Sequence, residues 1–286
     1  MVGVVAVVRP GNVLIAGVAV VVGAVVAVGP GVLWTFSEYS LALALAAAVA
    51  ALFTAAGNVL NDYFDAETDR VNHPDRPIPR GLLTRKSALR ISGTLFGSAV
   101  LLSLFLNIEC LLLVLANLAA MVSYEVSFKA RGGSGNLLIA YLVGSLFLFA
   151  GAATWRLPGY PLADESALLR AGVLALLASL ATVGREIAKD IEDAAGDVDR
   201  RTLPKTLGTR RAGLLASAAF VLAAGLSVLP YLLGILPGVY LVLVLVADAV
   251  FIYCALFPTR TERQIGRVAK YGMVIALVAF LAGALR

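Results

Sequence analysis

The sequence predicts an all-α, polytopic membrane protein of about nine transmembrane helices with one helix-loop-helix unit repeated inside it. Three observations lead there. Of 286 residues, 60% are hydrophobic and 14% charged, with a mean hydropathy of +0.91, whereas about a quarter of a soluble protein's residues are normally charged. The charges are confined to short segments between apolar runs of about 20 residues, the length that crosses roughly 30 Å of hydrocarbon. Finally, the acidic pattern D-x-x-D-x-x-x-D occurs twice, at 62–69 and at 190–197.

Nine spans follow in order, each long enough to cross as a helix, which satisfies its own backbone hydrogen bonds in lipid. The first, near 12–35, is followed by further spans and lacks a clear small-residue cleavage site, so it reads as a permanent helix rather than a signal peptide. The second, 40–60, runs into the first acidic pattern. The next three lie at 88–106, 108–128 and 136–155; the sixth, 167–187, leads into the second acidic pattern; 212–233, 236–257 and 268–285 complete the set. Residues 1–286 are read as a single integral membrane domain, with cap loops at 61–87 and 188–211.

This order divides the basic residues sharply. On the side of the N-terminus and the even-to-odd loops lie 20 of the 23 Lys and Arg residues, leaving Arg156, Arg170 and Arg286 opposite. Positive charge marks the cytoplasmic side, so the N-terminus and both acidic loops are expected in the cytoplasm and the C-terminus outside. A shift of one span would scramble that asymmetry. The net charge of +5 does not point to nucleic acid, because the basic residues flank membrane spans and are mixed with acids; anionic lipid or phosphate fits better.

Both acidic patterns are followed by basic residues and proline: Asp75-Arg76-Pro77-Ile78-Pro79-Arg80-Gly81 after the first, Arg200-Arg201-Thr202-Leu203-Pro204-Lys205-Thr206 after the second. A duplicated unit with its two loops brought to one site explains the match. At about 100° per residue, Asn61, Asp62, Asp65 and Asp69 share one flank of a continuing helix, and Asp190, Asp193 and Asp197 fall within roughly 60° of each other. Glu186 extends that second stripe, while Glu67 and Glu192 point elsewhere. Acids so crowded repel each other unless positive charge intervenes.

Carboxylates and an amide are hard oxygen donors that suit Mg²⁺, which shares its positions with water and substrate phosphate. Asn61, Asp65 and Asp69 form one candidate metal set, and Asp190, Asp193 and Asp197 the other. Zinc, haem and iron–sulfur chemistry is disfavoured, since His73 is the only histidine and Cys110 and Cys254 lie in or beside apolar spans. Neither cysteine is assigned a disulfide or a metal. One acidic run alone would be an ordinary solvated helix end; two with matched spacing at the ends of apolar helices are a functional signal.

The motifs N-D-x-x-D-x-x-x-D and D-R-P-x-P-x-G, with K-D-I-E-D-x-x-G-D and T-L-P-K-T-x-G later, resemble those of the UbiA superfamily of intramembrane prenyltransferases. The resemblance extends over most of the chain and includes Tyr124 and Lys129 in a Y-x-x-x-x-K arrangement and the Gly135-Asn136 pair. It implies nine helices around a central cavity, with Mg²⁺ holding an isoprenyl diphosphate beneath a cap of loops. The segments 72–81 and 185–193 most resemble the archaeal branch that transfers geranylgeranyl from its diphosphate to geranylgeranylglyceryl phosphate, forming the second ether bond of archaeal lipids.

On that resemblance the metal-bound carboxylates Asp65, Asp190 and Asp193 act in catalysis by stabilising the departing diphosphate. Asp62 is either a proton acceptor or a partner that orients the metal ligands. Arg76, Lys129 and Lys189 are expected to contact diphosphate or acceptor phosphate. Tyr124 either hydrogen-bonds the phosphate or belongs to an interfacial aromatic belt, and Asn136 either orients the acceptor or caps the fifth span. Asp248, alone in the eighth span, is left outside the site. An aromatic acceptor, as in quinone biosynthesis, remains open, and a cation transporter is the rival of another class. The acids lie at helix ends rather than at the midplane, which argues against transport.

Overall fold

The computed structural model describes residues 2–33, 38–129, 131–154, 165–194, 201–260 and 264–285. Among the described residues nine long helices follow one another and there is no strand: α1 Pro10–Val28, α2 Glu38–Phe64, α3 Arg85–Ser103, α4 Ile108–Ser123, α5 Gly133–Thr154, α6 Glu165–Asp193, α7 Thr209–Leu226, α8 Gly238–Leu256 and α9 Ile265–Ala284. Each packs on the next in chain order and α9 returns to α1, closing a ring; α1 also touches α5 and α6 across the interior. Eight of these helices are long and apolar enough to cross a membrane. The ninth, α3, packs along α2 but opens with Arg85, Lys86 and Arg90, which dilute its apolar character. The protein is an all-α, multi-pass membrane protein.

Local chemistry sets the helix ends. Pro10 opens α1, where its missing N–H costs nothing. That helix ends at Val28 rather than near 35, because Gly29 takes φ 94°, a backbone region that excludes side chains, and Pro30 follows. Thr84 caps α3, its hydroxyl accepting from Ser87 N at 3.1 Å. Asn107 caps α4 through Cys110 N at 2.8 Å and donates to Ala152 O at 2.8 Å, tying the start of α4 to the end of α5.

Lipid supplies no hydrophobic drive between helices, so close packing rests on small residues. On α5, a Cβ added at Gly144 would lie 2.2 Å from Ser179 Oγ and 2.7 Å from Ala175 O of α6, and one at Gly151 would lie 2.8 Å from the Ala171 methyl. Gly144→Leu is therefore expected to destabilise the bundle by about 1–3 kcal/mol through overpacking, read as an earlier thermal transition in detergent.

The element order after α2 is similar to that after α6. After α2 come the first acidic turn, a short helix Asp69–Asn72 and α3; after α6 come a short helix Leu203–Leu207 and α7. Both cap loops start later than 61 and 188, since α2 runs to Phe64 and α6 to Asp193. The cap is pinned from below: Ile78 and Leu83 pack with buried Val7, Val59 and Ala88.

Candidate active site

The first acidic arm departs from the continuous helix read from its phase. The helix stops at Phe64, residues 65–68 form a turn, and Asp69 opens the short helix. The i→i+4 bonds persist, with Asp65 N on Asn61 O at 2.9 Å and Asp69 N on Asp65 O at 2.8 Å, so the acids still stack. Around the turn Asp62 meets Arg9 and Arg76, Asp65 meets Lys129 and Asp69 meets Arg76, positive charge that offsets the repulsion of stacked acids. All three are buried: Asp62 and Asp69 are 2% exposed and Asp65 7%.

Arg76 folds back from the D-R-P segment, its Nη1 donating to both oxygens of Asp69 at 2.7 and 2.6 Å and lying 3.5 Å from Asp62 Oδ1. Arg9, just before α1 at φ 54°, pairs with the same Asp62 oxygen. Burial pushes the Asp69 carboxyl above the usual carboxylate range; Arg76 opposes that, and the charges of Asp65 and Asp62 reinforce it.

Lys129 sits between two carboxylates, its Nζ 2.8 Å from Asp65 Oδ1 and 2.8 Å from Glu125 Oε2. Glu125 also accepts from Asn61 Nδ2 at 2.9 Å. This buried acid went unread in the sequence, although its position four residues before Lys129 was a signal. It sits in a π-helical turn, Tyr124–Phe128, closed by Lys129 N on Tyr124 O at 2.9 Å. Such turns add a residue to the helix and re-aim side chains, often at functional sites. Gly135 makes room for it: a Cβ there would lie 2.8 Å from Phe128 O. Tyr124 offers its ring to the Lys129 ammonium, 5.5 Å from the centroid.

The second arm stays helical through Asp193. Asn136 donates to Asp190 Oδ2 at 2.9 Å, a carboxylate-orienting contact that neither sequence reading anticipated. His73 Nε2 lies 3.7 Å from Asp193 Oδ1, and Asn72 donates to Asp193 O at 3.4 Å, which brings the two acidic arms together. Lys189 and Arg185 share buried Glu186, with Lys189 Nζ 2.9 Å from Oε2. Glu192 turns away and accepts from Gly266 N at 2.9 Å, and exposed Glu67 pairs with Arg70 at 3.1 Å. Asp197 lies outside the described residues.

Below the arms opens a cavity of about 310 Å³ whose walls come mainly from α1, α2, α4, α5, α6 and α9. Its body is apolar, with Phe53, Met121, Leu146 and Phe149 among the lining groups; Asn61, Tyr124 and Lys189 stand at its polar end. Asp248 lies in a smaller adjoining cavity of about 90 Å³ and accepts from Ser227 Oγ at 2.8 Å, away from both acidic arms.

Among the described residues no three Asp, Glu, His or Cys side chains stand as a ready metal cage. In the first arm the oxygen donors are instead neutralised by Arg9, Arg76 and Lys129. The donor set nevertheless fits Mg²⁺: it is all oxygen, carboxylate-rich, divided between two arms in contact, and placed at the mouth of an apolar cavity.

Residues 13–282 match the UbiA prenyltransferase family. The chain belongs to that family. Its relatives include the digeranylgeranylglyceryl phosphate synthase of Natronomonas pharaonis, 42% identical over 286 residues and spanning 99% of this chain and 97% of that one. A solved structure concerned with digeranylgeranylglyceryl phosphate synthase is similar across 99% of this chain and 98% of its own, with TM-score 0.74 and 32% identity. A UbiA homologue from Archaeoglobus fulgidus, bound to GPP and Mg²⁺, shares the fold at TM-score 0.63 and 14% identity, over 99% of each chain. As a UbiA prenyltransferase, the protein combines the family's isoprenyl-diphosphate chemistry with a cavity suited to an isoprenoid tail.

Proposed function

We propose that this chain transfers a geranylgeranyl group from geranylgeranyl diphosphate to the free hydroxyl of geranylgeranylglyceryl phosphate, making the second ether bond of an archaeal membrane lipid. The observation that carries this reading is the pair of carboxylate arms meeting over an apolar cavity, in a chain 42% identical to an enzyme named for that product. The arms and the basic loops lie on the cytoplasmic side and the C-terminus outside, a topology supported by the distribution of the 20 basic residues.

Asn61, Asp65 and Asp69 on one arm, with Asp190, Asp193 and Asp197 on the other, would hold Mg²⁺. Bound there, the ion supplies Lewis-acid neutralisation of charge on the leaving diphosphate. Arg76 and Lys129 already lie among these carboxylates, and Lys189 lines the cavity, so all three stand ready for phosphate oxygens. As the carbon–oxygen bond to diphosphate breaks, the faces of Tyr124, Phe53 and Phe149 can stabilise allylic positive charge by about 0.5–2 kcal/mol each. The apolar walls keep water from capturing that carbon. Attack by the glycerol oxygen then forms the ether, its hydroxyl proton passing to the departed diphosphate. Asp62, engaged by Arg9 and Arg76, fits the role of orienting partner better than that of proton acceptor.

Purified protein in nanodiscs, given labelled geranylgeranyl diphosphate and both acceptor classes, tests the reading. Label is expected in the glycerol lipid, with transfer lost on chelation and restored by Mg²⁺. Prenylation of a hydroxybenzoate or naphthoate with the glycerol lipid ignored, or metal flux without any transfer, would overturn it.

A further inference from the structure

The carboxylate arms account for the diphosphate but leave a second concentration of positive charge unexplained. Four cationic side chains, Arg9, Arg185, Lys189 and Lys270, line the cavity among the described residues; Arg9 is paired with Asp62, and Glu186 is the one carboxylate among those lining residues. Glu186 is already shared by Arg185 and Lys189. Lys270, on the second turn of α9, has a neutral partner: its ammonium donates to Asn12 Oδ1 of α1. Arg185 Nε is buried without a hydrogen-bond partner, an orphan donor of the kind that costs free energy until a ligand satisfies it. Lys270, Arg185 and Arg9, from α9, α6 and the start of α1, thus line the same cavity. Arg185 precedes Asp190 by five residues on α6, a rise of roughly 7.5 Å along the helix axis.

We propose that Arg185 and Lys270, with Asn12 and Arg9 beside them, form a second anion subsite that takes the phosphate monoester of the acceptor. It is built from the chain's own cations and needs no metal. A dianionic monoester would supply negative charge to these cations and an acceptor for the orphan N–H, with Arg presenting a fork and Lys a point charge. The assignment rests on the glycerol phosphate acceptor proposed above, and the experiment separates the two.

Full-length protein in nanodiscs, without magnesium, is titrated with glycerol phosphate and, as control, glycerol, and binding is followed by calorimetry. Wild type is expected to bind glycerol phosphate and not glycerol. Lys270→Gln and Arg185→Gln should each weaken that binding at least about tenfold, and Lys270→Arg should recover most of it. Magnesium-dependent binding of geranylgeranyl diphosphate to the variants should change less than about twofold, a result that also shows the variants to be folded. In transfer assays, KM for the phosphorylated acceptor should rise at least about tenfold in Lys270→Gln, with KM for the donor unchanged. Equal glycerol phosphate affinity in wild type and Lys270→Gln, or equal loss of both ligands, overturns the subsite. If wild type binds glycerol phosphate through Lys270 yet prenylates only an aromatic acceptor, the subsite stands and the acceptor reading fails. If it prenylates the glycerol lipid with KM indifferent to Lys270, the reverse holds.

Discussion

Asp65→Ala and Asp193→Ala are each expected to reduce metal-dependent prenyl transfer by about three orders of magnitude, since a Lewis-acid contact to a departing charge is worth several kcal/mol. The two substitutions probe opposite arms with small structural cost. Removing the Asp65 carboxylate leaves Lys129 paired with Glu125 at 2.8 Å, and removing Asp193's leaves the Asn72 contact to its backbone carbonyl. Single-turnover transfer of labelled geranylgeranyl diphosphate across a magnesium series measures the effect. Glu67→Ala is the control, because that acid is exposed and bonded to Arg70. Retention of more than about a tenth of the rate by Asp65→Ala, with unchanged magnesium dependence, would remove Asp65 from the metal site.

Lys129→Met is expected to damage folding as well as turnover. The ammonium is the common partner of Asp65 and Glu125, and Glu125's side chain is fully buried. Taking it away leaves two close carboxylates with no cation between them, and breaking a buried pair from one side typically costs about 3–5 kcal/mol. Adding Glu125→Gln should return a good part of that loss, because the amide needs no counter-charge and its oxygen can still accept from Asn61. Thermal unfolding of the single and double variants measures the coupling. If Lys129→Met melts with wild type, the ammonium is not what holds these acids.

Much of this was legible in the sequence because membrane solvation writes itself locally. Apolar length marks eight of the spans, the basic residues sort by side under the expected topology, and the spacing of Asp62, Asp65 and Asp69 against Asp190, Asp193 and Asp197 repeats without any knowledge of contacts. On α6 the chain stays helical through Asp193, and after Phe64 the helix gives way to a turn in which Asp65 and Asp69 still stack through i→i+4 bonds.

Pairings between distant helices were decided only by tertiary structure. Arg9 reaching Asp62, Asn136 holding Asp190, and Lys270 meeting Asn12 join residues 53 to 258 positions apart. Arg9 and Lys270 registered in the sequence only as topological charges, and Glu125 not at all, because its inward aim depends on a π-helical turn. The sequence by itself determined the solvent, the spans and the oxygen-donor chemistry, since each follows from residue type and local spacing. Which cation neutralises which acid, and which cations are left for a ligand, followed only from closing the ring of helices, because charge pairing depends on distance in space.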